Sequence, residues 1–148
     1  MEFTQQSANQ NTIISLDNVS VSLASSKLKT PCFISSNQTE ELSITKIEDI
    51  NKEFLFPLLA KESLDILIIG TGESTVFLLP KQQVELSELG LGIECMNNTS
   101  ASSSFNLLLA DLRKVGLLII WFFIFLKELF PSISFSKLIL PYLFILFY

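Results

Sequence analysis

A mixed α+β and α/β fold is expected for this chain. An N-terminal β-meander packs with a mainly parallel, helix-covered sheet in three layers (β+β/α), and a hydrophobic C-terminal tail follows. Three observations predict it. Residues 65 to 120 read strand, helix, strand, helix, strand, the order of a parallel sheet covered by helices. Residues 12 to 45 carry short β-branched runs parted by turn residues. Composition then changes abruptly: seven of the thirteen phenylalanines fall in residues 121–148, which sets that stretch apart from the body. The 148 residues divide into a disordered lead-in (1–11), a single β+β/α domain (12–120) and a hydrophobic appendage (121–148). That length gives one domain enough chain for a core.

The meander opens with Thr12-Ile13-Ile14-Ser15-Leu16 and Val19-Ser20-Val21-Ser22-Leu23, with Asp17-Asn18 as a two-residue turn between them. Pro31-Cys32-Phe33-Ile34-Ser35 is a third strand, and Glu41-Leu42-Ser43-Ile44 with Thr45 a fourth. Asn51 caps a short helix over Lys52-Glu53-Phe54-Leu55-Phe56, with Glu53 near its positive end. Pro57 limits or bends that helix. The carboxylates Glu48, Asp49, Glu53 and Glu62 are spaced along this helix and its flanks as a solvated face.

Ile66-Leu67-Ile68-Ile69 is a continuous apolar run ending in Gly70-Thr71-Gly72, which reads as a strand buried on both faces. The glycines permit a sharp turn at its C-terminal end, where open α/β sheets place ligands. A dinucleotide fingerprint would need a third glycine and an immediate helix. Here Thr75 follows and the chain continues Val76-Phe77-Leu78-Leu79, so the corner reads as a tight turn. Pro80 and Gly90 punctuate a short helix at both ends. Leu91-Gly92-Ile93-Glu94-Cys95-Met96 is the next strand, closed by polar Asn97-Asn98-Thr99-Ser100. Asn98 or Thr99 is expected to cap the helix after it. Ala101, Phe105, Leu108, Leu109 and Leu112 line one face of that helix, with Asp111, Arg113 and Lys114 toward solvent. Val115 to Ile120 forms the last strand.

These same stretches carry a resemblance. Ile68-Ile69-Gly70-Thr71-Gly72, Leu91 to Met96, and Ala101 through Phe105-Asn106-Leu107-Leu108 to Arg113 resemble the family of small domains that includes mitochondrial complex I assembly factor 3 and its archaeal and bacterial relatives. In that family the strand ends in Gly-Thr-Gly, and the helix carries Ala-Cys-Arg-Thr-Tyr-Asn before an acidic residue and an arginine. Asn106, Asp111 and Arg113 match, whereas Ser102, Ser103 and Phe105 replace the usual Cys, Arg and Tyr. Without that arginine the helix lacks the one planar cation able to grip an anion. The resemblance spans residues 11 to 120. It implies a compact β-plus-α/β domain with no established catalytic activity and no cofactor, tied in mitochondria to assembly of a membrane respiratory complex.

Composition excludes several function classes. Acidic residues outnumber basic ones by 15 to 10, and a net charge of −5 argues against a general nucleic-acid binder. There is no histidine, so imidazole triads and histidine-ligated zinc or haem are ruled out. Cys32 and Cys95 lie far apart beside apolar residues and read as buried free thiols. Met1 to Asn11 is polar, contains Glu2 and lacks arginine, unlike a secretory or transit peptide, so a cytoplasmic, non-secreted protein is expected. In the tail, the apolar runs Val115–Leu126 and Leu138–Tyr148 are twelve and eleven residues long. A spanning helix takes about twenty. Trp121–Tyr148 is therefore expected to lie on or partly in the inner membrane, or to pack on a partner.

The candidate contact residues for a ligand or partner are Gly70, Thr71, Gly72 and Glu73 at the strand-end loop, with Asn97, Ser102, Ser103 and Asn106 on the facing helix. The backbone amides and hydroxyls at the helix start make a weak anion cradle. Asn106 is expected to hydrogen-bond the Gly70–Gly72 loop. Glu94 and Asp111 are the carboxylates best placed for function, but spacing alone does not bring them together. No catalytic, cofactor-binding or metal-ligating residue is assigned. Three readings follow. The first is a non-catalytic assembly or scaffold domain acting on protein partners. The second is a small-ligand or anion-binding domain, or an enzyme, built on Gly70–Gly72 and Asn97–Ser104. The third is a membrane protein anchored by its tail.

Overall fold

Short alternating strands leave one apolar face to bury, and the N-terminal strands bury theirs against a helix. The structure, a computed structural model, describes residues 9–44 and 46–120. β1 (Ile13–Leu16), β2 (Ser20–Leu23) and β3 (Lys27–Lys29) form an antiparallel three-stranded sheet in that order. Leu16 pairs with Val21 and the Asp17 amide bonds the Ser20 carbonyl, so the loop residues are Asn18 and Val19, one step beyond the expected turn. The Asp17 carboxylate accepts from the Val19 and Ser20 amides, both at 2.8 Å, and from the Ser20 hydroxyl at 2.9 Å. The fold begins before Thr12: Asn11 is buried and its Nδ2 donates to the Ser35 carbonyl at 2.7 Å. The expected tail appendage and the rest of the lead-in lie outside the described residues.

β4 (Cys32–Ser35) and the fourth strand, expected over residues 41–45 but formed as β5 (Thr39–Glu41), do not belong to the meander, contrary to the sequence expectation. They join β6 (Ile66–Gly70), β7 (Gly92–Met96) and β8 (Val115–Ile119) in a five-stranded sheet ordered β5-β4-β8-β6-β7. β6 runs parallel to β7 and β8, whereas β4 is antiparallel to β8 and β5. The sheet is thus mixed, with the parallel trio β8-β6-β7 on one side, ending in β7 at the edge. All four residues of β4 and all five of β8 are buried, as strands covered on both faces must be.

Among the described residues three α-helices complete the layers. α1 (Lys52–Ala60) is capped by Asn51, whose Oδ1 accepts from the Phe54 amide at 2.8 Å. It runs through Pro57 to Ala60, because the carbonyl that the proline strips of its partner belongs to Glu53 on the exposed side. α2 (Pro80–Ser87) carries the expected proline at its start, and α3 (Asn98–Ala110) covers the other sheet face. Ala101, Phe105 and Leu109 of α3 pack with Ile13, Val21 and Leu23 of the small sheet and with Ile68, Val115 and Leu117 beneath. On the opposite face Leu55 and Leu58 of α1 and Leu86 of α2 cover Phe33, Leu67, Ile69 and Leu118. The order is small sheet with α3, large sheet, then α1 with α2. Among the described residues no helix is long and apolar enough to cross a membrane.

Candidate functional site

The corner where β6 ends is closed by its own chain. Gly72 sits at φ +99°, a left-handed conformation that disfavours any side chain. Its amide donates to Asn98 Oδ1 at 2.9 Å, and its carbonyl accepts from the Asn98 amide at 2.7 Å. A Cβ at Gly70 would lie 2.6 Å from that same Oδ1, so the asparagine fits only against a bare backbone. The Thr71 amide bonds the Met96 carbonyl at 2.9 Å, which carries the β6–β7 ladder into the turn. Thr71 Oγ1 donates to the Ser74 carbonyl at 2.8 Å and accepts from the Val76 amide at 2.9 Å.

Asn97, not Asn98 or Thr99, caps α3, with Oδ1 accepting from the Ser100 amide at 2.9 Å. The reason is competition: the Asn98 side chain is already held by Gly72. Beside this corner is a cleft of ≈ 240 Å³ lined by Leu16, Asp17, Asn18, Gly72, Glu73, Asn98 and Thr99. Hydrogen bonds from the Val19 amide and from Ser20 hold the Asp17 carboxyl below its usual range. Two acidic residues, Asp17 and Glu73, thus line the cleft at the helix start, where their charge disfavours an anion.

Gly70, Thr71, Gly72, Glu73 and Asn97 therefore meet, and the other candidates do not join them. Ser102 is buried, and among the described residues its hydroxyl has no hydrogen-bond partner. Ser103 is exposed. Asn106 does not reach the Gly70–Gly72 loop: its Oδ1 accepts from the Ile13 amide and its Nδ2 donates to the Ile13 carbonyl, both at 2.8 Å. Lying two turns beyond Asn98 on α3, it clamps β1 instead. It also borders a cleft of ≈ 1040 Å³ between the β2–β3 and β4–β5 turns, lined by asparagine, glutamine, serine and threonine residues together with Leu109 and Leu112. Glu94 is exposed on β7 and Asp111 is exposed at the far end of α3, so these carboxylates do not form a pair.

Two residues were missed by sequence reasoning. The sequence marks Asn98 as a cap candidate, whereas an Asn-Asn pair straight after a strand offers one side chain to the helix and one to the neighbouring turn. The spacing of the carboxylates puts Glu62 on a solvated face. Instead its carboxylate gathers the β4–β5 turn, accepting from the Ser35 hydroxyl, from the Ser36 hydroxyl at 2.9 Å and from Asn37 Nδ2 at 2.9 Å. Among the described residues no three metal-ligating side chains converge.

The two cysteines are free and lie on opposite faces of the large sheet. Burial pushes the Cys32 thiol from an ordinary 9.0 up to about 12, reinforced by the negative charge of Glu41. Burial also raises Cys95, against a lowering contribution from the Leu78 amide. Cys95 borders a cleft of ≈ 330 Å³ lined by Phe77, Leu78, Leu86, Leu91 and Ile93 together with the polar Gln83, Ser87 and Glu94.

Comparison with known proteins gives a family and a fold. The model of a family described as protein of unknown function (DUF498/DUF598) matches residues 13–120. No curated protein matches the chain. A solved protein of Bordetella parapertussis is 20% identical with a TM-score of 0.66, covering 77% of this chain and 98% of its own. A Bartonella henselae structure named as an outer membrane protein is 22% identical, with a TM-score of 0.66 and coverages of 77% and 97%. A Bordetella pertussis protein described as a Mth938-like domain is 18% identical, with a TM-score of 0.65 and coverages of 81% and 91%. At these identities the likeness is one of fold.

Proposed function

This chain belongs to the DUF498/DUF598 family of proteins of unknown function, and from that premise we propose that it is a non-catalytic assembly or scaffold domain acting on protein partners. One observation carries the reading. The glycine corner, the place where such a sheet would hold a ligand, spends both backbone groups of Gly72 on Asn98 and fills the space above Gly70 with that side chain. The corner is a joint between β6 and α3, and the two carboxylates beside it discourage phosphate. The resemblance of the Gly-Thr-Gly strand and the Asn106 to Arg113 helix to complex I assembly factors supports a finer reading, in which the domain attends the assembly of a membrane redox complex from the cytoplasmic side.

The test uses the tagged full chain on detergent-solubilised membranes, with captured proteins identified by mass spectrometry. Subunits of one membrane redox complex are expected to co-purify above a bead control. In parallel, nucleotides and small organic acids at millimolar concentration are expected to leave the melting temperature unchanged. A melting shift with one of them that disappears in Asn98→Ala would replace the scaffold reading with that of a ligand-binding domain.

A further inference from the structure

The strand edges of the two sheets are not treated alike. An open edge offers unpaired amides and carbonyls to any extended chain, and folded proteins usually blunt it. β1 is closed by Asn106, which takes both the amide and the carbonyl of Ile13. β3 reads Lys27-Leu28-Lys29, with both lysines exposed. β5 carries Glu40 and Glu41; Glu40 pairs with Lys61 at 3.3 Å, and Glu41 accepts from the Lys29 amide at 2.8 Å. β7 carries one exposed charge, Glu94, and among the described residues no side chain takes up its outward backbone groups.

The register tells which of its groups are free. The Gly92 amide bonds the Asp65 carbonyl and the Met96 carbonyl accepts from Thr71, so Gly92, Glu94 and Met96 turn their backbone groups toward β6. Ile93 and Cys95 therefore turn theirs outward, and among the described residues these have no partner. The side chains of Ile93 and Cys95 pack beside Leu78 and Leu86 on the cleft side, bordered by Phe77, which is 70% exposed.

We propose that this edge joins two copies of the chain, β7 against β7, antiparallel about a twofold axis through Ile93. The choice of occupant rests on self-complementarity. With Ile93 facing its own copy, Leu91 meets Cys95 on the cleft side, an apolar pair. Glu94 meets Gly92 on the other face, so its charge stands opposite a residue with no side chain. A register centred on Glu94 would instead set two carboxylates side by side, which is unfavourable. The chosen register satisfies the outward amides and carbonyls of both strands and continues the five-stranded sheet across the axis. It brings the Phe77 and Leu91 borders of the two clefts against each other. Such an isologous contact closes on itself and does not propagate. It is independent of whether the protein captures a foreign partner.

The register makes the test specific. In the paired state positions 92 and 94 of different copies are a non-hydrogen-bonded pair, close enough for a disulfide. A Cβ at Gly92 meets only the Asp65 carbonyl at 3.7 Å, an ordinary contact, so cysteine is accommodated there. Full-length Gly92→Cys and Glu94→Cys, each in a Cys95→Ala background and with tags of different size, are oxidised alone and after mixing in mild detergent. A disulfide-linked heterodimer is expected in the mixture and absent from either chain alone. Ile93→Pro, which removes an outward amide without touching the β6 ladder, is expected to abolish it. Density-matched sedimentation of the unsubstituted chain is expected to give two chains per particle. The interface is overturned if mixing adds no cross-link, if Glu94→Cys links to itself, or if the particle holds one chain at every concentration. Should Ile93→Pro fail to fold, the mixed cross-link decides alone.

Discussion

Asn98 is the residue on which the glycine corner turns, and its neighbours are tuned to it. Removing its side chain leaves the Gly72 amide without an acceptor, so Asn98→Ala is expected to cost about 1 kcal/mol. Gly70→Ala forces a Cβ against Asn98 Oδ1 and is expected to cost about 1–3 kcal/mol. The two losses share one contact, so the double variant should lose less than their sum, as urea unfolding of all four proteins will show. Ser102 presents the opposite case. Its buried hydroxyl has no partner among the described residues, and Ser102→Ala is expected to raise stability by about 1 kcal/mol in the same assay. Cys32 sets a pH dependence. Its thiol titrates near 12 in the fold against 9.0 ordinarily, so the folded state holds its proton longer. That contribution is fully present below pH 9 and is lost as pH climbs toward 12. Urea midpoints across this window are expected to fall more steeply for the native chain than for Cys32→Ala. The position of the glycine corner was legible in the residues, because only glycine suits such a turn. Which asparagine serves it was not, since hydrogen-bond partners across elements depend on how far along α3 each residue lies.

Among the elements, α3 ends under strain. The Arg113 amide reaches back to the Leu108 carbonyl at 2.9 Å, a closure that puts Leu112 at φ +58° with its side chain 82% exposed. Glycine fits that conformation without the leucine's steric cost, so Leu112→Gly is expected to gain about 1 kcal/mol, read as a higher melting temperature. At the middle of the same helix, Asn106→Ala breaks two bonds to β1 and is expected to cost about 2 kcal/mol. Hydrogen exchange should show the Ile13 amide losing protection first. The parallel trio and α2 were legible because continuous apolar runs and a Pro–Gly bracket are local signals. β3 was not, because Lys27 and Lys29 mask a strand held by pairing alone. β4 was recognised as a strand but misplaced: four consecutive buried residues suit a sheet interior, whereas the nearness of β1 and β2 in sequence favoured the meander.

At the scale of the whole molecule, the halves of the large sheet meet through one strand. β4 pairs only with β5 and β8, and β6 only with β7 and β8, so β8 joins the antiparallel and parallel halves. Its residues, 115–119, are the last regular element of the described chain. A ribosome delivers the chain in the reverse order of need. The β4–β5 hairpin and the β6–α2–β7 unit both emerge with one flank bare and wait for the segment that will lie between them. Until it arrives, the apolar faces of Phe33 and Ile69 have no common floor. Nascent chains stalled before Val115 should therefore be cut by protease throughout. Those extended past Ile120, far enough to clear the exit tunnel, should turn resistant in a single step rather than strand by strand.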